Sequence, residues 1–256
     1  MGNELEFKIK LTPELVKSFM TNDKIWDEND LYIDEIMVKK DSYYKSPYVP
    51  LKTGNIVRIR NEFSCGKYND TSFLTDNITD EELEKISSDC KESFICFKEK
   101  SIIDGCEITK EFESINQEHV GEKIIAALGG KEYFSKEKKS ISFNFFYDPN
   151  RGNFNIELVC VNKQYYYLEI EWVGDFTEEL SDSEKVFKYL ENIVTKLGFD
   201  PSNKDPRSWM EIINSDNLKR EVEQHFLDEN VKCEVKEIDR ENDNSNIIKM
   251  AQNLNK

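Results

Sequence analysis

Between residues 3 and 174 the chain reads as runs in which apolar and charged side chains alternate, the two-residue period of a strand with one packed face. Eight such runs lie near 3–11, 31–44, 54–63, 92–101, 105–113, 136–147, 153–161 and 165–174, with Gly, Pro, Asn and Asp clusters between several of them. In the first, Leu5, Phe7, Ile9 and Leu11 share one face, and Glu4, Glu6, Lys8 and Lys10 share the other. The third sets Arg58, Arg60 and Glu62 against Val57 and Ile59; the fourth sets Lys98 and Lys100 against Ile95 and Phe97. Glu111 and Glu113 oppose Ile108 and Phe112 in the fifth. The sixth sets Lys136, Lys138, Ser140, Ser142 and Asn144 against Lys139, Ile141, Phe143 and Phe145. Glu157 opposes Ile156 and Leu158, and Glu169 and Glu171 oppose Leu168, Ile170 and Trp172. One predicted sheet face is charged on nearly every strand.

Three helices interrupt the strands. Thr12 followed by Pro13 supplies a side-chain cap and a pre-set backbone angle for the first. A second, over 116–128, carries Val120, Ile124 and Leu128 on one side and stops at Gly129-Gly130. The third, over 182–197, has a capping box of Ser181 and Glu184, an apolar stripe of Val186, Leu190, Ile193 and Leu197, and Gly198 at its end. Residues 64–91 read as a polar insertion between the third and fourth strands, a candidate lid, with a short helix begun by Thr79 and Glu82. From about 215 the composition turns to Asn, Asp, Glu and Lys, so a helical or poorly ordered extension is expected over 214–256, after one domain over 1–213. The fold class expected is α+β: a closed eight-stranded antiparallel β-barrel with helices that plug or flank it.

Composition narrows the partners. Acidic side chains outnumber basic ones 51 to 35 among 256 residues, a net charge of −16, which opposes an extended nucleic-acid track or an anionic membrane surface. The first ten residues carry charges where a signal peptide needs an apolar core, and no run approaches the ~20 apolar residues of a membrane span, so a cytoplasmic protein is expected. Cys65, Cys90, Cys96, Cys106, Cys160 and Cys233 form no CxxC pair and the histidines are His119 and His225, which makes reduced structural thiols a better reading than a zinc site. Gly2 follows Met1, but Glu6 stands where a myristoylation signal wants Ser or Thr.

For a single strand, a charged face is ordinary solvated sheet with cross-strand ion pairs. The set is different: ExE pairs recur on two strands and RxR or KxK on three others, where a solvated face would show more Ser, Thr and Gln. Clustered carboxylates suit Mg²⁺ or Mn²⁺, hard cations that complete their shells with water and phosphate oxygens. Inward arginines and lysines suit the phosphates, since a guanidinium forks onto two oxygens. Eight strands suffice to close around one small ligand.

These residues resemble the triphosphate tunnel metalloenzymes, the CYTH superfamily of class IV adenylyl cyclases and thiamine triphosphatases. Glu4-Leu5-Glu6-Phe7-Lys8 stands as the leading ExExK motif, Asp41-Ser42-Tyr43-Tyr44 resembles DTYF, Val57-Arg58-Ile59-Arg60 the RxR strand, and Ile95-Cys96-Phe97-Lys98 the LTxK strand. Lys110-Glu111-Phe112-Glu113 resembles the following ExE, Ile156-Glu157-Leu158 a strand that usually carries Asp, Tyr167-Leu168-Glu169-Ile170-Glu171 FxEIE, and Arg207-Ser208-Trp209 KSY. The match is collinear over residues 1–213, with departures at Thr109, where many members have Arg, and at Glu157.

The resemblance implies that Glu4, Glu6, Glu169 and Glu171 hold Mg²⁺ or Mn²⁺, with Glu111, Glu113 and Glu157 in reserve as ligands or water positioners. It implies phosphate binding by Lys8, Lys10, Arg58, Arg60, Lys98, Lys100, Lys136, Lys138 and Arg207, and catalytic roles for Lys98 with Tyr43 in activating the nucleophile, a core aromatic being the competing reading of Tyr43. The activity expected is hydrolysis of a small triphosphate. Inorganic tripolyphosphate comes first because the lining reads as charged throughout, with no separable apolar pocket for a base or thiazole. The alternatives are an adenylyl cyclase, a thiamine triphosphatase, an RNA 5′-triphosphatase, and a non-catalytic polyphosphate-binding module, which has no need of two carboxylate pairs.

Overall fold

The computed structural model describes residues 2–47, 55–65, 71–75, 81–82, 85, 92–103, 106–144, 153–174 and 183–218. The chain divides into two compact units, Met1–Pro206 and Arg207–Lys256. The first unit contains strands β1 (Gly2–Leu11), β2 (Tyr32–Lys45), β3 (Ile56–Ser64), β4 (Glu92–Ile103), β5 (Cys106–Ile115), β6 (Lys131–Asn144), β7 (Asn153–Val161) and β8 (Tyr165–Gly174). Its helices include α1 (Pro13–Met20), α2 (Asp23–Glu28), α3 (Val120–Ala127) and α4 (Ser183–Lys196). In the second unit a helix runs through 209–218, capped reciprocally by Ser208 and Glu211.

The strands form one antiparallel sheet in the order β1-β5-β4-β3-β2-β6-β7-β8, which returns to β1. The closed barrel expected is met at β1 only through a short seam. Gly2, Asn3 and Glu4 are the only β1 residues in register with β5, whereas Asn3 to Leu11 all pair with β8. The register explains it: Glu4 faces Thr109 and β5 begins at Cys106, so past Phe7 no β5 residue is left opposite β1. The segment after α4 meets that open edge instead, with Ile9 bridging Lys204 and the Asp205 N–H donating to the Lys8 carbonyl at 2.9 Å.

The apolar face of β1 and β6–β8 points outward. Leu5, Phe7, Ile9, Ile141, Ile156, Leu158, Leu168 and Ile170 form one core with Val16 and Phe19 of α1, Leu190, Ile193 and Val194 of α4, and Phe199. Each fully buried aliphatic or aromatic side chain contributes about 1.5–3 kcal/mol, so the stable arrangement seats the helices outside and leaves the charged face to line the interior. The helices flank the sheet. Thr12 caps α1, its hydroxyl accepting from the Leu15 N–H at 3.3 Å, as the Thr-Pro signal predicted.

Outside the interior, one helix presents a different face from the stripe read in sequence, and part of the insertion is placed. On α3 the stripe Val120, Ile124, Leu128 is exposed, and Gly121 and Ile125 are buried. A Cβ at Gly121 would stand 2.8 Å from Asn116 Oδ1 and 3.2 Å from Ile95 Cδ1. The helix therefore seats through Gly121 and Ile125, with no room for a side chain at position 121. In the insertion, the described turn Thr71–Leu74 packs outside the sheet: Phe73 and Leu74 join the core, and Lys139 Nζ donates to the Phe73 carbonyl at 3.4 Å. Thr79, Ser181 and residues 219–256 lie outside the described residues. Among the described helices none is long and apolar enough to cross a membrane.

Candidate active site: the charged interior of the sheet

Register brings the charged positions together in cross-strand rows. Glu6 pairs with Glu171 and Lys8 with Glu169 between β1 and β8, and Glu169 pairs with Glu157 on β7. On the opposite wall, Asp41 of β2 lies between Lys136 of β6 and Arg60 of β3, Tyr43 lies beside Arg58, Arg58 beside Cys96, and Cys96 beside Glu113. These alternate along each strand with outward core residues such as Val38, Ile156, Leu158, Leu168 and Ile170, which places both rows on the inner face.

The two signs neutralise each other pair by pair. Lys138 Nζ lies 2.7 Å from both Glu157 Oε2 and Glu169 Oε2, and Lys39 Nζ lies 2.6 Å from Glu157 Oε1. Lys98 Nζ is 2.6 Å from Glu111 Oε2, and Arg58 Nη2 is 2.7 Å from Glu111 Oε1. Burial pushes the Glu157 carboxyl up, but Lys138 and Lys39 outweigh it and hold the group well below the usual carboxylate range. Glu6 reports on the whole lumen. Burial pushes it up, and Lys8, Lys98, Lys138 and Lys136, drawn from three strands, outweigh this and hold it at about 2. Its side chain is 41% exposed, so the walls enclose it while solvent still reaches it.

A second cluster surrounds Asp41. Arg60 donates from Nε and Nη2 to its two oxygens at 2.8 and 3.1 Å, Lys136 Nζ lies at 3.1 Å, Arg58 Nη1 at 3.6 Å, and the Tyr43 hydroxyl donates at 3.5 Å. Burial, with the neighbouring Lys138 and Arg60, lowers Lys136 to about 8 against the opposing pull of Asp41 and Glu169. Burial, and then Asp41, raise the Tyr43 hydroxyl, whose ring packs on Phe134 at 5.2 Å between centroids. The expected pair of Lys98 and Tyr43 is engaged on different carboxylates, Glu111 and Asp41.

Of the expected metal ligands, Glu6, Glu169 and Glu171 stand on the adjacent strands β1 and β8, all offering hard oxygen donors that fit Mg²⁺ or Mn²⁺. Glu171 also accepts from Asn155 Nδ2 at 3.2 Å. Glu4 lies on β1 at the short seam, with its side chain outside the described residues, as is that of Lys100. The reserve pair Glu111 and Glu113 has ligand atoms within 4.8 Å of each other and of the Cys96 sulfur. Arg58 already occupies that cluster, 2.7 Å from Glu111 and 3.3 Å from Cys96 Sγ, and burial pushes the Cys96 thiol up to about 12, where it is protonated and a poor ligand. Lys10 is exposed, and Arg207 belongs to the second unit, where it donates to Ser215 Oγ at 3.1 Å.

The lining is not charged throughout, which corrects the expectation from sequence. Val159 and Val161 on β7 and Tyr165 and Tyr167 on β8 continue the inward phase of Glu157 and Glu169, and all four are buried. The Tyr167 hydroxyl donates to Asp205 Oδ2 at 2.8 Å, and Asp205 itself arrives through the gap beside β1. On β7 and β8 the inner face therefore turns apolar and aromatic beyond the Glu157–Glu169 pair, while Ser140 and Lys138 of β6 stand opposite Val159 and Val161. Alternation carried this signal, because Val159 and Tyr167 keep phase with the carboxylates. Asp41, Lys39 and Cys96 were also missed as site residues. Lys39-Lys40-Asp41-Ser42 is polar on both faces, so alternation is faint there, and Cys96 reads as an apolar position.

No profile of a known family matches the chain, and no curated protein matches it in sequence. Solved structures do match in shape. The PH1819 protein of Pyrococcus horikoshii OT3 is 21% identical, with a TM-score of 0.56, over 83% of this chain and 99% of its own. The PH1012 protein of the same organism is 18% identical, with a TM-score of 0.54, over 81% and 98%. A Vibrio parahaemolyticus protein described as a candidate adenylate cyclase is 12% identical, with a TM-score of 0.56, over 82% and 97%. At these identities the likeness shows a shared fold, and the resemblance read from the order of motifs is upheld at that level.

Proposed function

We propose that this chain hydrolyses a small triphosphate with the help of divalent cations, and that inorganic tripolyphosphate is its substrate. The reading is supported above all by the pairing inside the lumen, where Lys138 joins Glu157 and Glu169 while Arg58 and Lys98 join Glu111. Such pairs can be exchanged one for one when metal cations take the carboxylates and phosphate oxygens take the lysines and arginines. A binder of phosphate alone has no use for the carboxylates, which oppose its ligand's charge.

In this reading Glu4, Glu6, Glu169 and Glu171 hold Mg²⁺ or Mn²⁺, which when bound neutralises the phosphate chain and lowers the pKa of water. Lys8, Lys138, Arg58, Arg60 and Lys136 bind phosphate oxygens, and the fork of each guanidinium suits two of them. Lys98 and Tyr43 lie on the opposite wall, where they can orient the attacking water. Glu157, Glu111 and Glu113 steady the cations until the ligand arrives.

A second reading, adenylyl cyclase, is favoured by the fold shared with the Vibrio parahaemolyticus protein. A cyclase must also hold the ribose so that its 3′-hydroxyl lies in line with the α-phosphorus. Val159, Val161, Tyr165 and Tyr167 are apolar but fully packed, so they offer a base no open surface. Incubation of the protein with tripolyphosphate or ATP, in Mg²⁺ or Mn²⁺ and separately in excess EDTA, with products separated by chromatography, tests the reading. The expected result is orthophosphate from tripolyphosphate at a higher kcat/KM than ATP, abolished by EDTA. Cyclic AMP and pyrophosphate from ATP with tripolyphosphate intact would establish the cyclase, and full turnover in EDTA would remove the metal from the mechanism.

A further inference from the structure

Several lumen carboxylates have two uses. Glu111, Glu157 and Glu169 pair with cations as the structure stands, and each is also a candidate to hold metal, so their pairs must come apart when ligand enters. Asp41 differs from them. It lies outside the candidate metal set, its side chain is 0% exposed, and three cations from two neighbouring strands converge on it.

We propose that Asp41 is a positioning residue for the phosphate-binding cations, fixing Arg60, Lys136 and Arg58 so that their remaining N–H groups meet a triphosphate in a set geometry. The inference rests on the triphosphate reading of the lumen. The fork onto Arg60 uses Nε and Nη2, at 2.8 and 3.1 Å, which immobilises the guanidinium plane and leaves Nη1 3.8 Å from Glu62. Arg58 is shared: Nη1 faces Asp41 at 3.6 Å and Nη2 meets Glu111 at 2.7 Å. If Glu111 turns to metal, Asp41 still holds Arg58. Lys136 completes the set at 3.1 Å. Asp41 meets all three cations, whereas Glu62 lies beside Arg60, and Glu111 and Glu113 lie beside Arg58. Without the carboxylate, the same three cations repel one another and splay, and preorganisation is lost.

The experiment compares Asp41→Glu, Asp41→Asn, Arg60→Ala and the Asp41→Glu/Arg60→Ala pair with the wild type. Affinity for tripolyphosphate is measured by calorimetry in Ca²⁺, and kcat and KM are measured in Mg²⁺. Asp41→Glu keeps the charge and displaces it by one methylene, and the Tm of each variant is read beside its affinity so that loss of fold is told apart from loss of positioning. We expect Asp41→Glu to weaken tripolyphosphate binding tenfold or more with near-native thermal stability, raising KM more than it lowers kcat. In the Arg60→Ala background the same change should weaken binding less than threefold, because the chief group it positions is gone. Binding by Asp41→Glu within twofold of wild type, or full multiplication of the two effects in the pair, overturns the role. A wild type that binds tripolyphosphate yet cleaves no triphosphate defeats the hydrolytic reading alone and leaves the Asp41 comparison readable. A wild type that binds none defeats both.

Discussion

Lys138→Met is the most informative single perturbation of the interior. Lys138 is 5% exposed and its ammonium lies 2.7 Å from carboxylate oxygens of both Glu157 and Glu169, so methionine fills the space but leaves two enclosed carboxylates without their shared cation. Removing one partner of a buried ion pair costs about 3–5 kcal/mol, because the remaining charge stays desolvated. Lys39, 2.6 Å from Glu157, offsets part of this, which puts the expected loss near the lower figure. For a chain of this size it corresponds to a fall in Tm of roughly 6–12 °C, read by calorimetry or urea denaturation.

The pH dependence carries a sign. The folded-state pKa of Glu157 is depressed, so its contribution to stability is present above the unfolded value of about 4.3 and is lost as pH falls towards the folded one. Without Lys138 that depression shrinks, and the variant should lose the contribution at a higher pH than wild type. Millimolar Mg²⁺ should restore part of the stability, since a cation bound only by the folded state at 100 times its Kd adds about 2.7 kcal/mol. A variant within about 1 kcal/mol of wild type at pH 7, with no response to Mg²⁺, would show that the lumen is well hydrated and that its ion pairs are of the weak surface kind.

Two other outcomes follow from the same geometry. Glu6→Gln or Glu169→Gln should lower kcat more than tenfold, at least ~1.4 kcal/mol of barrier, while leaving circular dichroism unchanged; residual activity above a tenth would remove that residue from the metal set. Lys136, lowered to about 8 by burial and by Lys138 and Arg60, is charged below that value, so KM for the triphosphate should rise as pH passes through it. Lys136→Arg should abolish the rise, and a pH profile unchanged by that substitution would show that Lys136 does not contact substrate.

The sequence by itself determined the local geometry and much of the lining. Period-two alternation is a property of the strand, so Glu6 and Lys8, Arg58 and Arg60, Lys136 and Lys138, and Glu169 and Glu171 could each be assigned to one face before any fold was known. The Thr12-Pro13 start of α1 was legible for the same reason, since a cap acts within one turn. Tertiary structure decided what depends on distance along the chain. That Lys138 bridges Glu157 and Glu169, or that Asp41 gathers Arg58, Arg60 and Lys136, follows from cross-strand register, which pairs residues far apart in sequence and is set by the packing of the outer core. The short β1–β5 seam, with Lys204 and Asp205 filling the edge beyond it, depends on where one strand runs out beside another. The apolar filling of Val159, Val161, Tyr165 and Tyr167 lies in the same phase as the charges, so alternation marks these residues as inward, and only the closing of the walls around them shows that they leave no open space there.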